Sequence, residues 1–409
     1  MFRHVKVYGF SRYLRRFSFA KNLLILLLII LAIVYIILKI RLITVYNDVH
    51  SIYSKARLRK CNTDFSRNPN RVKIILFWTK IFSTRINDHF LNKYLFQETG
   101  RCATDRCKLT NNRYSLCQSD AVVFHARGGI SSSDMPDARL PEQRYVLLTK
   151  EPPYKTTAIV GHLNSFFNWT ATYRVDSDIN YRYFDWKTKT VNTQEPFIQT
   201  YLNNRTARAA SMISNCYSEN NRDDYIKRLN AIVPVTSIGY CTGNKCEKSR
   251  FECLNQLADT HPFYLSFENS LCNDYVTEKY ANAILSERMI PIVFSKGVHL
   301  YIPNSFIDAN QFSSPENLAD YLIYLTKNST AYDSYFQWRQ QYELVVPDEY
   351  DYLCDLCRKL NDPNQPTKIY GNMKKWLYED AKCQRWMTKL NRSVDIPVDE
   401  TMDYEDPWF

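Results

Sequence analysis

The 409-residue chain lacks internal repeats and low-complexity tracts, which excludes solenoids and other repeat arrays. Acidic residues are scarce at its start, where residues 1–60 hold twelve Lys and Arg against Asp48 alone. The remainder lacks net charge, with 41 basic residues balanced by 41 acidic ones, so the overall +11 is no footprint for nucleic acid. Cys354-x-x-Cys357 could suggest a redox motif or half a zinc site, but it has neither a second CxxC nor a His pair beside it, which counts against the metal.

What the basic start does flank is Leu23 to Leu38, sixteen uninterrupted Leu, Ile, Val, Ala and Tyr residues. Asn22 and Lys39, which can snorkel, extend this run into a transmembrane signal-anchor over residues 22–40, at the short end of the spanning range. A cleavable signal peptide competes, but the run is slightly long for one. It is followed by Lys39-Ile40-Arg41, with no small-residue cleavage pattern. Arg3, Lys6, Arg12, Arg15, Arg16 and Lys21 keep residues 1–21 cytosolic and send the rest to the lumen. A short span suits a thin internal membrane, so the expectation is a single-pass type II Golgi protein that meets the lipid bilayer through one helix.

All twelve cysteines follow the anchor, so disulfides are expected, with connectivity left open. Asn168, Asn204, Asn328 and Asn391 each begin an N-glycosylation sequon. Residues 41–70 are polar, basic and aperiodic, as a stem would be.

Strand candidates follow at Val72–Trp78, Ala121–His125, Tyr145–Thr149, Ala209–Ser214, Val233–Gly239, Phe263–Phe267, Ile290–Phe294 and Phe306–Ala309. Helical patterns alternate with the later ones, among them Pro315–Lys327 with Ser314 as N-cap. The alternation predicts α/β architecture: two Rossmann-like domains facing a cleft, at 71–200 and 201–359, with an extension over 360–409. The boundary is placed near 190–208, where apolar periodicity lapses.

The densest signal runs from Pro262 to Phe294. A strand, a polar turn and a helix capped by Asp274 or Thr277 lead into a second strand, which is a βαβ unit. Ligands of such units sit beyond the strands' carboxyl ends, where a helix start attracts anions. Glu278 and Lys279 fall there and suit a ribose and a phosphate; a solvated surface pair is the plain alternative.

Phe267-Glu268-Asn269-Ser270 and Tyr275-Val276-Thr277-Glu278-Lys279 resemble the donor signature of the α1,3-fucosyltransferase family. The resemblance extends in order from Val72 to Lys359. It implies a two-domain enzyme of GT-B type that uses GDP-fucose, with Asn269, Tyr275, Glu278 and Lys279 on the donor and Glu268 structural. Arg222, seven residues beyond Asn215, matches the family's diphosphate arginine. Tyr145 to Pro153 resembles the stretch holding the family's proposed base, which would be Glu151, although Glu-Pro-Pro stands here for Glu-Ser-Pro. His125 and Trp169 would lie on the acceptor side, with a satisfied loop histidine as the alternative for the first. The implied reaction passes fucose, with inversion, to O3 of GlcNAc on a glycoprotein glycan. No metal is obligatory, and Mn²⁺ or Mg²⁺ is at most stimulatory.

Two rivals remain open. Asp176-Ser177-Asp178 spells a DxD metal pattern for a metal-dependent glycosyltransferase. The other rival is a catalytically silent, membrane-anchored glycan-binding protein.

Overall fold

The computed structural model describes residues 30–37, 39, 61, 71–98, 101–104, 106–156, 158–190, 202, 205–247 and 249–398. Most of the expected anchor and stem, the boundary at 191–201, Asn204 and the acidic tail from Asp399 lie outside these residues. Residues 30–37 are helical, and among the described residues no helix is long and apolar enough to cross a membrane.

From residue 71 onward the chain builds two parallel sheets. The first comprises β1 (Lys73–Phe77), β2 (Cys107–Thr110), β3 (Ala121–His125), β4 (Arg144–Thr149), β5 (Trp169–Thr172) and β6 (Ile179–Asn180), in the order β2-β1-β3-β4-β5-β6. After a short strand β7 (Asp185–Thr188), the second sheet uses β8 (Ala209–Met212), β9 (Val235–Ile238), β10 (Phe263–Phe267), β11 (Ile290–Phe294) and β12 (Ile307–Asp308), in the order β9-β8-β10-β11-β12. Counted within itself, each sheet therefore begins 2-1-3-4-5. The order reverses between its first and third strands, and that switch point opens a crevice at their carboxyl ends.

The strands read as continuous apolar runs because both faces of each sheet are covered. On one face of the first sheet Ile75, Phe77, Val123, Val146 and Leu148 pack against Tyr352, Leu353 and Leu356. The alternate residues Leu76, Val122, Phe124, Tyr145 and Leu147 pack on the other face against Tyr370, Trp376 and Leu377. Both covers come from late in the chain. The segment expected to belong with the second domain up to residue 359 is thus divided, since the helix Asp351–Leu360 lies against the first sheet.

In the second sheet, Phe263, Leu265, Phe267, Ile292 and Phe294 meet helix α1 (Arg222–Asn230) through Tyr225 and Leu229. The same face meets the helix Pro315–Lys327 through Leu318 and Leu322. Ala210 and Tyr264 face α2 (Arg250–Thr260) and α3 (Glu278–Leu285) on the other side. Pro291 is tolerated inside β11 because β12 pairs only from Ile292 onward, so the missing N–H removes no ladder bond.

Six disulfides join all twelve cysteines. Cys354 and Cys357, one helical turn apart, bond to Cys102 and Cys107 of the first sheet's region. Cys61, placed in the expected stem, bonds to Cys117 and packs on the first sheet's core. The C-terminal hairpin Gln384–Met387 with Arg392–Asp395 brings Trp386 into the second sheet's core against Tyr225.

Candidate active site

Glu151 stands just past the carboxyl end of β4. Its backbone is held on two sides: its own N–H donates to Thr149 Oγ1 at 3.0 Å, and Tyr183 O–H donates to the Lys150 carbonyl at 3.1 Å. Pro152 and Pro153 then stiffen the exit into a short turn. Burial pushes the carboxyl above its ordinary value, while Arg127 and Lys279 pull the other way and Glu278 adds to the rise. Charges from both sheets therefore meet at this side chain.

The opposite wall is the loop from β10 to α3. Thr277 caps α3, accepting from Lys279 N–H, so the capping alternative resolves to Thr277 rather than Asp274. Asp274 sits instead at φ 62° and accepts from Val175 N–H, tying the loop to the first sheet's side. Glu268, fully buried, accepts from Thr277 N–H at 2.8 Å and from Lys279 Nζ at 3.0 Å. Its expected structural role fits this pattern. Lys279 is thus aimed by Glu268 and Thr277, with Glu278 3.6 Å away. Glu278 also lies 3.6 Å from Arg250; burial acts to raise it, but Lys279 and Arg250 outweigh that and bring it below its ordinary value.

Arg222 is the first residue of α1 and is 1 % exposed. Its Nη1 donates to the Phe267 carbonyl and its Nη2 to the Asn215 carbonyl, at 2.9 and 2.8 Å. Those carbonyls close the ends of β10 and β8, so the guanidinium spans the second sheet's switch point. Nε is buried there without a hydrogen bond, 4.0 Å from Asp223 Oδ1, and Asn269 Oδ1 is likewise buried without one. Unpaired buried groups at such a crevice are the ones a ligand would satisfy. Tyr275 is buried edge-on to Tyr173, and the Tyr173 hydroxyl is another unpartnered atom between the sheets.

Further contacts close the cleft that sequence reading did not find. Lys155 pairs with Glu219 at 2.9 Å, joining the loop after β4 to the one before α1. The C-terminal segment straps the loop from β10 to α3: Cys272 bonds to Cys383, and Asn273 N–H donates to the Ala381 carbonyl. Nothing local in the sequence pairs such distant positions.

Three expectations are corrected. Trp169 does not line an acceptor surface; at 3 % exposure it packs in the first sheet's core with Val146 and Ile179. His125 is likewise buried, its Nδ1 accepting from the N–H groups of Phe82 and Arg127. Burial, aided by Arg127, lowers its pKa to about 4, so it is a neutral, satisfied loop histidine. Asn168 is 5 % exposed and every part of its amide is used: Oδ1 accepts from Arg139 and Tyr145, and Nδ2 donates to the Lys368 carbonyl. No glycan fits there in the folded state. Asn391 is exposed, and Asn328 is half-buried at the cap of a short helix.

The metal rival loses its ligands. Asp176 accepts from Arg174 Nε and Nη2 at 2.8 Å and from Trp376 Nε1 at 3.0 Å. Asp178 accepts from Lys368 at 2.7 Å, Tyr370 at 2.8 Å and Thr170 N–H at 2.9 Å. Both carboxylates are thus already engaged by protein donors, and Asp178 is pointed at Lys368 and Tyr370.

Residues 70–184 match the family Fucosyltransferase, N-terminal, and residues 202–376 match Glycosyltransferase family 10 (fucosyltransferase) C-term. The chain is similar to Alpha-(1,3)-fucosyltransferase C of Drosophila melanogaster, 29% identical over 88% of this chain and 90% of that protein. It is similar also to 4-galactosyl-N-acetylglucosaminide 3-alpha-L-fucosyltransferase 9 of Bos taurus, 33% identical over 66% of this chain and 75% of that protein. A crystal structure of an alpha1,3-fucosyltransferase with GDP-fucose is 18% identical, covers 75% of this chain and 95% of its own, and has a TM-score of 0.47.

Proposed function

Because the chain belongs to the glycosyltransferase family 10 fucosyltransferases, we propose that it moves L-fucose from GDP-β-L-fucose, with inversion, to O3 of GlcNAc on glycoprotein glycans. The observation that carries this reading is the meeting of Glu151, from the first sheet, with Lys279 and Glu278, from the second, within one electrostatic field. The α1,3 linkage is the one for which the similar fucosyltransferases of Drosophila melanogaster and Bos taurus are named.

In this reading GDP lies at the second sheet's switch point. Lys279 and the Nε of Arg222, which has no hydrogen bond of its own, face the diphosphate, Asn269 and Tyr275 border it, and Glu278 takes the ribose hydroxyls. Two of the donors of Arg222 already hold the loop ends, so much of its work is to shape the crevice. Glu151 removes the proton from the acceptor hydroxyl, whose oxygen forms a bond to the anomeric carbon as the carbon–phosphate oxygen bond breaks. The electron pair leaves on the diphosphate, where fixed cations stabilise it. A carboxylate raised by burial is a better base for this step than an exposed one.

Residues 71–200 would serve the acceptor and 201–359 the donor. The anchor at 22–40 and a Golgi lumenal location belong to the same proposal, supported by the six disulfides, which persist in an oxidising compartment.

Glu151→Gln is expected to abolish transfer while leaving GDP binding intact, measured by GDP release and by calorimetry. Undiminished turnover would remove Glu151 from the mechanism. Lost GDP binding would instead place it on the donor.

A further inference from the structure

We infer that Arg127 is a positioning residue for this reaction, its fixed positive charge beside Glu151 keeping that carboxylate ionised so that it can take the acceptor proton, and thereby setting the acid limb of turnover. The inference rests on the reading of Glu151 as the base.

Arg127 and Glu151 leave the carboxyl ends of neighbouring strands, with His125 of β3 in register with Leu148 of β4. Arg127 Nη1 lies 4.0 Å from Glu151 Oε2, and both side chains are about four-fifths buried, at 18% and 20% exposure. Opposite charges at this separation and burial are poorly screened.

The arginine is held in place. Its N–H donates to His125 Nδ1, and Gly128 N–H donates to the His125 carbonyl. A Cβ on Gly128 would stand 1.9 Å from the Lys80 carbonyl oxygen, so the turn that follows Arg127 is packed backbone to backbone against the loop after β1. The Arg127 guanidinium also lies 5.6 Å from the Phe82 ring centroid.

Four charged groups act on Glu151: Arg127, Lys279, Glu278 and Lys155, in falling order. Tyr173, Tyr183 and Tyr275 face it too, all held neutral by burial. Lys279 also pairs with Glu268 at 3.0 Å and Lys155 with Glu219 at 2.9 Å. Arg127 makes the largest of the pulls that oppose burial.

The test is the pH profile of kcat/KM for Arg127→Met and Arg127→Lys, read as GDP release. The acceptor would be whichever of the N-glycan core, N-acetyllactosamine or LacdiNAc is turned over fastest. Removing the cation raises Glu151 further, so the base form is lost at higher pH. The acid limb of Arg127→Met should therefore move up by about one pH unit, with activity on the alkaline plateau largely kept and KM for GDP-fucose unchanged. Arg127→Lys should restore most of the shift.

A uniform fall in rate at every pH, or a Lys variant that behaves like Met, would make Arg127 merely structural and overturn the inference. Should the Met variant melt early, Arg127→Gln gives the same readout with a polar side chain kept. The parent reading is tested separately. Inactive Glu151→Gln with an unmoved limb in Arg127→Met sinks only the inference, whereas active Glu151→Gln sinks the base itself.

Discussion

At Asn168 a glycosylation sequon and a structural amide compete for one nitrogen. In the folded protein that nitrogen is buried and donates to the Lys368 carbonyl, so glycopeptide mass spectrometry of residues 61–398 expressed through a secretory route should find Asn168 bare. Asn391 and Asn328 remain eligible. Replacing Asn168 by Ala leaves Arg139 and the Tyr145 N–H facing an empty site, which should cost about 1–3 kcal/mol in a denaturation midpoint series. A sequon reports three letters and nothing of burial, which is why sequence reading counted this one with the rest. Trp169 misled for the same reason: a family motif located it, but only the sheet shows that its ring enters the core. Glu151, Glu278 and Lys279 were legible because a strand's end and a helix's start fix position as well as chemistry. Arg127 lies two residues beyond the end of β3, yet its nearness to Glu151 depends on β3 lying beside β4, and no local pattern states that pairing.

Among the elements, the strands β3, β10 and β11 and the helix Pro315–Lys327 have the bounds expected of them. Each is a long apolar run or a capped periodic segment, bounded by residues that stop it. The strands missed were β2, β5, β6, β7, its partner Tyr342–Val345 and the two hairpin strands after residue 383. β5 reads Trp-Thr-Ala-Thr, too polar for its burial to show; Thr170 and Thr172 are buried with their hydroxyls engaged by Tyr370 and Ser177. β7 forms only by pairing with Tyr342–Val345, more than 150 residues on. The C-terminal hairpin gave no usable signal, yet it fills a gap that α1 leaves, with Trp386 against Tyr225. Trp386→Ala should therefore destabilise the second sheet by about 3–5 kcal/mol. Hydrogen exchange should show β10 and β11 losing protection before the first sheet does.

For the whole molecule, the two sheets are legible as two runs of strands, but the chain does not finish one before starting the other. The first sheet's faces are closed by residues 351–378, after the second sheet has been built. A fragment of residues 61–190 should accordingly lack protease resistance and dispersed amide resonances, while residues 61–398 should show both. Independent folding of the shorter piece would mean that the late segments are decoration.

The same interleaving bears on how the protein is made. Cys102 and Cys107 pair with Cys354 and Cys357 across 252 and 250 residues. At roughly 5–20 residues per second of synthesis, the two earlier thiols wait on the order of tens of seconds for their partners. Cys117 emerges within that interval and already has Cys61 available. The nascent chain must keep two thiols out of a nearby bridge until Cys354 and Cys357 have been made, so any early bridge to Cys61 or Cys117 has to be reopened by thiol–disulfide exchange before the first sheet's cover can be fastened.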